Sequence, residues 1–515
     1  MGQINQLFRT ILITLLTLVL LCFVILPLIP VLGVACLWRC FISRCAMLFK
    51  KNKLGKLVNA SGTFLASCNV YNIKALNILT VMEIEHGLAD VNTMRDKFEK
   101  LILSAKLPNS DELQYPELTS GLAQWMGYLF WAPCPDFEIK DHIMSLADID
   151  VPVSLRDLEN EATQQELWKH LVRERLWKKG RPLWEFIMVN PTSDCNKSKS
   201  LIIGRCHHSL ADGWALFKLF TRLFKAESLL EKIPTMNKSS VVRNSSSWRT
   251  RMSQALTTAK LPFEAVDLLV TLIMNRVAVP TYPLESKDSL DEPGLVFATE
   301  KVGRLDGMKQ LKTKLGVDFQ SVLLAGVAAG VRDSYVRACQ PIPDNVVTVF
   351  PLPMPGHPNK LRNHVSVGFI LLPIGEPDSE ERLEEIASRM QKLYRSRIVL
   401  SNHFQLRVIG SMPLPLVRFC RKRSRPSPIM VCNWVGPPEA LYWEESQISD
   451  VKIVVNIPFN KPKGYAYGVS LLTYDGNVDL GVIGLRNFFP NNQHPIKFNE
   501  RVIEEWDQLE SVICT

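Results

Sequence analysis

From Ile11 to Trp38 the chain runs 28 residues without a charged side chain. As a helix rising about 1.5 Å per residue this segment would be roughly 42 Å long, more than the roughly 30 Å hydrocarbon core of a bilayer. An isolated segment in lipid can satisfy its backbone polar groups only as a helix. The expectation is a retained N-terminal transmembrane helix, because a cleavable signal peptide has an apolar stretch of only about 7 to 15 residues. Pro27 and Pro30 leave two shapes open, a single-pass kinked span or a shallow hairpin that enters and leaves on one side. Arg39, Arg44, Lys50, Lys51, Lys53 and Lys56 come after the run, whereas only Arg9 precedes it. The positive-inside bias therefore puts the rest of the chain in the cytosol, at an endoplasmic reticulum or plasma membrane. Asn59, Asn196, Asn237 and Asn244 begin N-x-[ST] triplets that would matter only in a lumenal domain, and the charge bias is ranked above them.

A chain of 515 residues is too long for one hydrophobic core and favours at least two globular units. The net charge of +9 is modest and concentrates near residues 39–56 and 418–425, a pattern suited to anionic lipid headgroups rather than nucleic acid. The 12 cysteines include no C-x-x-C pair and no Cys/His spacing that would build a zinc site, so no metal is expected. Cys36, Cys40 and Cys45, beside the apolar run, are open to reversible acylation or to burial as neutral thiols.

The hydrophobic periods give an α/β reading. Asn77–Glu85, Trp184–Asn190 and Ser200–His208 read as strands, and Trp214, Phe217, Phe220 and Phe224 line one stripe of a helix after the third. Residues 234–293 break the pattern, with a polar basic stretch, the ten-residue apolar piece AVDLLVTLIM and a loop-like tail. Beyond them lie a small-residue helix from VDFQSVLLAG and strand-like runs at VVTVFPL, VSVGFILLPI, IMVCNWV and VKIVVNIPF. Two further runs flank Asp475-Gly476 as a hairpin, and an amphipathic helix through Val502, Trp506 and Leu509 closes the chain. The expected organisation is a membrane anchor with basic flank (1–57), an N-terminal lobe (58–233), a linker (234–293) and a C-terminal lobe (294–515), both lobes with mixed sheets.

At the strand-to-helix junction stands GRCHHSLADGWALF, with His207, His208, Asp212 and Gly213. A neutral imidazole is the side chain best matched to take a proton near neutral pH, and His208 is the candidate general base. Asp212 and Gly213 are expected to be architectural, the carboxylate fixing the turn and the glycine letting the backbone pass close by. A strand alternates faces, so one histidine packing inward beside a solvated neighbour is the competing reading.

His207-His208-Ser209-Leu210-Ala211-Asp212-Gly213 resembles the H-H-x-x-x-D-G signature of the coenzyme A-dependent acyltransferase superfamily, which includes chloramphenicol acetyltransferase-like enzymes and peptide-synthetase condensation domains. Pro182-Leu183-Trp184 in RPLWEF, together with Asn433, Gly436 and Pro437 in VCNWVGPPE, resembles the P-L-W and N-x-x-G-P blocks of the wax ester synthase/diacylglycerol acyltransferase family. Tyr474, Asp475 and Gly476 are similar to that family's late hairpin. The resemblance spans residues 77 to 513 and implies two chloramphenicol acetyltransferase-like lobes enclosing a central tunnel. It also implies transfer of a fatty acyl group from acyl-CoA to a long-chain alcohol or diacylglycerol, with His208 as base. Pro182, Leu183, Trp184, Asn433, Gly436 and Pro437 would then bind substrate or shape the tunnel, and acyl-CoA would be a co-substrate, with no tightly bound cofactor. The implied partners are acyl-CoA, the lipid acceptor and the bilayer. One departure stands out: where many members begin the small-residue helix with Asn-Asp, this chain has Gln320-Ser321. That departure supports the alternative of a catalytically weakened, membrane-tethered lipid-binding or carrier protein on the same fold. No G-x-S-x-G elbow, H-E-x-x-H pair or Walker loop supports another chemistry.

Overall fold

The computed structural model describes residues 2–72, 76–154, 157–158, 160–191, 199–232, 260–274, 295–303, 305–423, 429–456, 467–486, 488–491 and 493–512. The triplets at Asn196, Asn237 and Asn244, the polar and loop-like parts of the 234–293 segment, and Arg425 lie outside these residues.

The N-terminal segment is helical over Gly2–Leu20 and Leu26–Phe49, joined by a π-helical turn at Leu21–Ile25. The hairpin shape is not adopted, because helix continues across the prolines. Pro27 cannot donate to the carbonyl four residues back, and that carbonyl, of Phe23, lies inside the wider π turn, where the hydrogen-bond ladder is already interrupted. Among the described residues Pro30–Phe49 is one helix long and apolar enough to cross a membrane, and Thr10–Phe23 is a shorter apolar helix. The far end docks on the protein: Ile42 and Ala46 are buried with Leu54, Tyr128 and Phe130. Arg39 Nη2, just beyond the uncharged run, donates to the Val58 carbonyl at 2.8 Å.

Strands β1 (Asn77–Ile84), β2 (Ser120–Trp125), β3 (Tyr128–Pro133), β4 (Ile143–Ser145), β5 (Trp184–Val189) and β6 (Ser200–His207) precede the linker. After it come β7 (Leu295–Val302), β8 (Val346–Pro353), β9 (Val365–Leu372), β10 (Ile429–Val435), β11 (Tyr442–Trp443), β12 (Ser446–Val455), β13 (Tyr467–Tyr474) and β14 (Asn477–Leu485). They form two six-stranded sheets, ordered β11-β12-β1-β6-β5-β4 and β7-β14-β13-β10-β8-β9, with β2-β3 a separate hairpin. Both large sheets are mixed: β4 runs parallel to β5 in the first, and β10 runs parallel to β8 and β13 in the second. The β13–β14 turn is the predicted one, with Asp475 and Gly476 both at positive φ (45° and 75°), as a tight type I′-like turn requires.

The division at residue 293 does not coincide with the sheets. β12 pairs antiparallel with β1, from Ile78 opposite Val455 to Ile84 opposite Ile448, and so carries a late part of the chain into the first sheet. Its hydrophobic pattern is that of any half-covered strand, and nothing in that pattern specifies which free edge it joins. Separate cores fill the two sheets, the first around Phe98, Trp184 and Phe186 and the second around Phe350, Phe498 and Trp506. A third cluster joins them, setting Leu79, Val81 and Ile203 of the first sheet against Phe297, Ile483 and Leu485 of the second. The first core holds up the end of β6 from behind. β5 and β6 are buried along their whole length, and His207 ends β6 at the rim.

Candidate active site

His207 ends β6 and His208 opens the turn that follows it. His207 points inward and is fully buried, its Nδ1 accepting from Ser209 N–H at 3.1 Å and lying 2.8 Å from Ser209 Oγ. Its backbone N–H donates to the Leu183 carbonyl at 3.0 Å. His208 is half-buried, and its Nδ1 lies 3.1 Å from the Ala211 carbonyl. A carbonyl oxygen can only accept, so Nδ1 carries the proton and Nε2 is left as the basic nitrogen. Two backbone contacts fix the residue. His208 N–H donates to Leu76 O at 2.7 Å, and its own carbonyl accepts from Asn363 Nδ2 at 2.7 Å. Leu76, the residue before β1, is held at φ 64°, in the left-handed region that bulky side chains avoid, so this hold on His208 is made at a cost in backbone strain.

Asp212 N-caps the helix Gly213–Leu223, its Oδ1 accepting from Ala215 N–H at 2.9 Å. Oδ2 accepts from the His364 backbone N–H at 2.7 Å, and Oδ1 lies 3.2 Å from His357 Nε2. Both latter partners sit on the loop between β8 and β9, so one carboxylate starts the motif helix and ties down a loop of the second sheet. Burial works to raise the Asp212 carboxyl, but the His357 contact and the two backbone N–H groups prevail and hold it below the usual carboxylate value. Gly213 is required sterically: a Cβ there would sit 2.1 Å from the Trp434 ring. Trp434 thus lies directly on the first turn of the motif helix.

Asn433, one residue before Trp434 on β10, donates from Nδ2 to Gln320 Oε1 at 2.9 Å. Gln320 stands in the first turn of the helix Phe319–Arg337, which is capped by Asp318 accepting from Ser321 N–H at 3.1 Å. Among the described residues, Gln320 Nε2, Asn433 Oδ1 and Trp434 Nε1 are each buried with no hydrogen-bond partner. The departure at Gln320-Ser321 therefore stands beside the predicted block at Asn433, through a side-chain contact.

The other predicted residues have framework contacts. Pro182, Leu183 and Trp184 are buried in the first core. The Trp184 indole donates to Leu118 O at 2.7 Å and stacks on Phe98 with centroids 4.5 Å apart. Trp184 also lines, with Leu210, Leu216 and Leu361, an apolar space under the motif. Gly436 N–H donates to Thr473 Oγ1 at 3.3 Å, and Pro437 O accepts from Asp475 N–H at 3.0 Å, so these two brace the β13–β14 hairpin. His357, Asn363 and His364 are site residues that sequence reasoning misses. They lie in a loop without hydrophobic period, and only the Asn-His pair ahead of a strand marks the place.

Two family models match the chain. The wax ester synthase/diacylglycerol acyltransferase catalytic domain covers residues 71–282, and the C-terminal domain of the same family covers residues 361–505. The chain belongs to the wax ester synthase/diacylglycerol acyltransferase family. A probable diacylglycerol O-acyltransferase of Mycobacterium tuberculosis is 24% identical over 397 residues, covering 73% of this chain and 83% of that protein. The O-acyltransferase WSD of Acinetobacter baylyi is 20% identical over 408 residues, 75% of this chain and 84% of that protein. Among solved structures, a wax ester synthase/diacylglycerol acyltransferase from Marinobacter aquaeolei VT8 superposes with a TM-score of 0.53 at 15% identity, over 88% of this chain and all of that one (100%). The first condensation domain of the calcium-dependent antibiotic synthetase gives a TM-score of 0.55 at 14% identity, over 89% and 96% of the two chains. The fold is thus the mixed α/β fold of condensation and acyltransferase domains, and this wax ester synthase/diacylglycerol acyltransferase family member is an acyltransferase working on an acyl donor and a lipid acceptor. Both family ranges begin after the N-terminal helix, which is an addition to the matched region.

Proposed function

We propose that the protein is a membrane-bound O-acyltransferase that moves a fatty acyl group from acyl-CoA to a long-chain alcohol or diacylglycerol, giving wax ester or triacylglycerol. One observation carries the reading: His208 Nδ1 is held by the Ala211 carbonyl, which leaves Nε2 as the base at the end of a buried strand. In the reaction the acceptor hydroxyl gives its proton to His208 Nε2 as its oxygen attacks the thioester carbonyl. The C–S bond breaks, and the proton passes to the departing sulfur to give free coenzyme A. A thioester is already activated, so no nucleophile of the enzyme and no tightly bound cofactor is called for. Asp212 and Gly213 hold the loop and helix around the base. Asn433, with Gln320 and Trp434, offers one acceptor and two donors without protein partners, which suits recognition of the reacting carbonyl and hydroxyl in a tunnel between two acetyltransferase-like lobes.

The membrane placement is supported by the apolar surface of the N-terminal helix, where Leu37, Leu48 and Phe49 are more than 70% exposed. Lipid alcohols and diacylglycerol partition into bilayers by about 0.8 kcal/mol per methylene, so an anchored enzyme collects its acceptor where it is concentrated. The helix Leu414–Arg423 adds a second contact, with Leu416 and Phe419 exposed beside Arg421, Lys422 and Arg423. The positive-inside bias puts the catalytic domain in the cytosol, and glycosidase sensitivity at Asn59 would reverse that.

The test is the purified chain with labelled palmitoyl-CoA and a panel of hexadecanol, diacylglycerol and short alcohols. Ester formation is expected with the long acceptors and should drop on the order of 100-fold or more in His208→Ala with folding intact. Undiminished turnover in that variant refutes the assigned base. Substrate binding without turnover in the unmodified chain would favour the carrier reading, which Gln320-Ser321 motivates.

A further inference from the structure

Beside the base, on the side of the β8–β9 loop, is a cleft of about 560 Å³, open to solvent and lined by Lys56, Gln114, Glu117, Lys360, Leu361 and Arg362 among others. It belongs to none of the sequence blocks that mark the site, yet one short loop links the two. Lys360, Leu361 and Arg362 line the cleft, and Asn363, the next residue, holds the His208 carbonyl. Leu361 also lines the apolar space under Leu210 and Trp184.

The chemistry of the lining is cationic. Three cations, Lys56, Lys360 and Arg362, line the cleft with one carboxyl, Glu117, while Glu112 pairs with Lys56. Lys56 and Glu112 pair at 2.8 Å, but both side chains are more than 60% exposed, so the pair is readily opened. Burial pushes the Glu117 carboxyl up, against its own backbone N–H and the pull of the three cations. Among the described residues, Arg362 Nε and Glu117 Oε2 are both buried and without a hydrogen-bond partner. A guanidinium N–H left unpaired in a polar cleft lacks an acceptor, and a phosphate supplies several with the geometry an arginine fork prefers.

Resting on the acyl-CoA reading above, we propose that this cleft is a phosphate-binding site, with Arg362, Lys360 and Lys56 as its cationic donors. Two sources of phosphate fit the position. The diphosphate of the acyl donor can lie here while its pantetheine arm tracks the Leu361–Asn363 loop to the base. An anionic lipid headgroup can also reach it, because Lys56 comes soon after the end of the N-terminal helix.

The experiment uses the full chain in detergent or in vesicles, with Arg362→Gln and a Lys56→Gln, Lys360→Gln double variant. Coenzyme A binding is measured by calorimetry, without turnover. Ester formation is then compared for palmitoyl-CoA and for a palmitoyl thioester of N-acetylcysteamine, which has no phosphate. For the donor source, coenzyme A binds roughly 10-fold or more weakly in the variants, and the preference for palmitoyl-CoA over the short thioester falls by the same factor. For the lipid source, those two quantities hold while binding to vesicles containing phosphatidic acid falls on the order of 10-fold against phosphatidylcholine vesicles. The proposal is overturned if all three quantities are unchanged, or if both thioesters lose turnover equally with coenzyme A and vesicle binding intact. Failure of the unmodified chain to esterify any acceptor would instead strike the proposed reaction, since the binding measurements do not depend on it.

Discussion

Replacing Asp212 by alanine removes one side chain that performs three structural tasks. Loss of the N-cap on Ala215 costs about 1 kcal/mol. The His364 N–H then has no acceptor in a half-buried position, worth about 1 to 2 kcal/mol. The side chains of Asp212 and His357 are 2% and 6% exposed, so their polar contact is little screened, and losing the carboxylate there costs about 1 to 3 kcal/mol. At 3.2 Å the pair is not tight, and one carboxylate makes all three contacts, so the losses overlap. The expected total is about 3 to 5 kcal/mol, a fall in apparent melting temperature on the order of 10 °C by thermal scans in detergent. Asp212→Asn keeps an oxygen for the cap but sets an NH2 group toward His357 or His364 N–H, and should lose about half as much.

The pH dependence has a definite sign. The folded carboxyl lies below its ordinary value of 3.8, so its contribution is full above that value and is lost as pH falls through the lower folded value. The gap between the native chain and Asp212→Asn should therefore close in strong acid and stay constant near neutrality. An Asp212→Ala variant that melts within about 1 kcal/mol of the native chain but loses turnover as His208→Ala does would refute the architectural role, because the carboxylate would then act on the chemistry and not on the frame.

Gly213→Ala forces the Trp434 ring away from a position 2.1 Å from the new Cβ, with an overpacking cost of about 1 to 3 kcal/mol; turnover should fall and tryptophan emission shift, and an unchanged spectrum would refute the contact. Asp479 is buried, with Oδ2 unpartnered, and burial followed by the nearby Asp450 pushes its carboxyl from 3.8 up to about 8. A raised folded value means stability is full below the unfolded value and is lost as pH rises toward the folded one, so the native chain should lose a few kcal/mol between about pH 4 and about pH 8, and Asp479→Asn should flatten that slope in thermal scans. Gln320→Ala frees Asn433 Nδ2 beside Trp434; the ratio of hexadecanol to diacylglycerol turnover should change by about 3-fold or more, whereas a uniform loss for all acceptors would indicate framework damage instead.

The strands are legible in the sequence because their signal is local. Period-two and continuous apolar runs locate β1, β5, β6, β8, β9, β10 and β12, and Asp475-Gly476 locates the β13–β14 hairpin. Pairing is not legible: β12 meets β1 across more than 360 residues of chain, and the edge it joins is set by the whole tertiary packing. The β2–β3 hairpin is hidden because its turn, Met126-Gly127, both at positive φ, lacks the Asn-Gly or Asp-Gly pair that announces such turns. At the site, the adjacent histidines and the N-capping aspartate are visible because strand end, cap and helix are consecutive in the chain. His357, Asn363 and His364 are invisible because the loop that carries them has meaning only against Asp212 and His208.

The same long-range pairing governs how His208 is held. His208 is bonded through its N–H to strained Leu76 in the first half of the chain and through its carbonyl to Asn363 in the second, while Asp212 bonds the neighbouring His364 N–H. Neither sheet alone fixes the imidazole. A small opening between the β8–β9 loop and the motif would release the His208 carbonyl and the Asp212 carboxylate together, and the loop that would move is the one that lines the cationic cleft. Were a ligand in that cleft to bind the closed arrangement more tightly than the open one, occupancy there and the orientation of His208 would be thermodynamically linked. Asn363→Ala cuts one link without touching either ligand group. It should weaken the coupling between coenzyme A binding and thermal stabilisation, leaving a smaller ligand-induced rise in melting temperature than the native chain shows, and an equal rise in both would mean that the loop and the base are held independently.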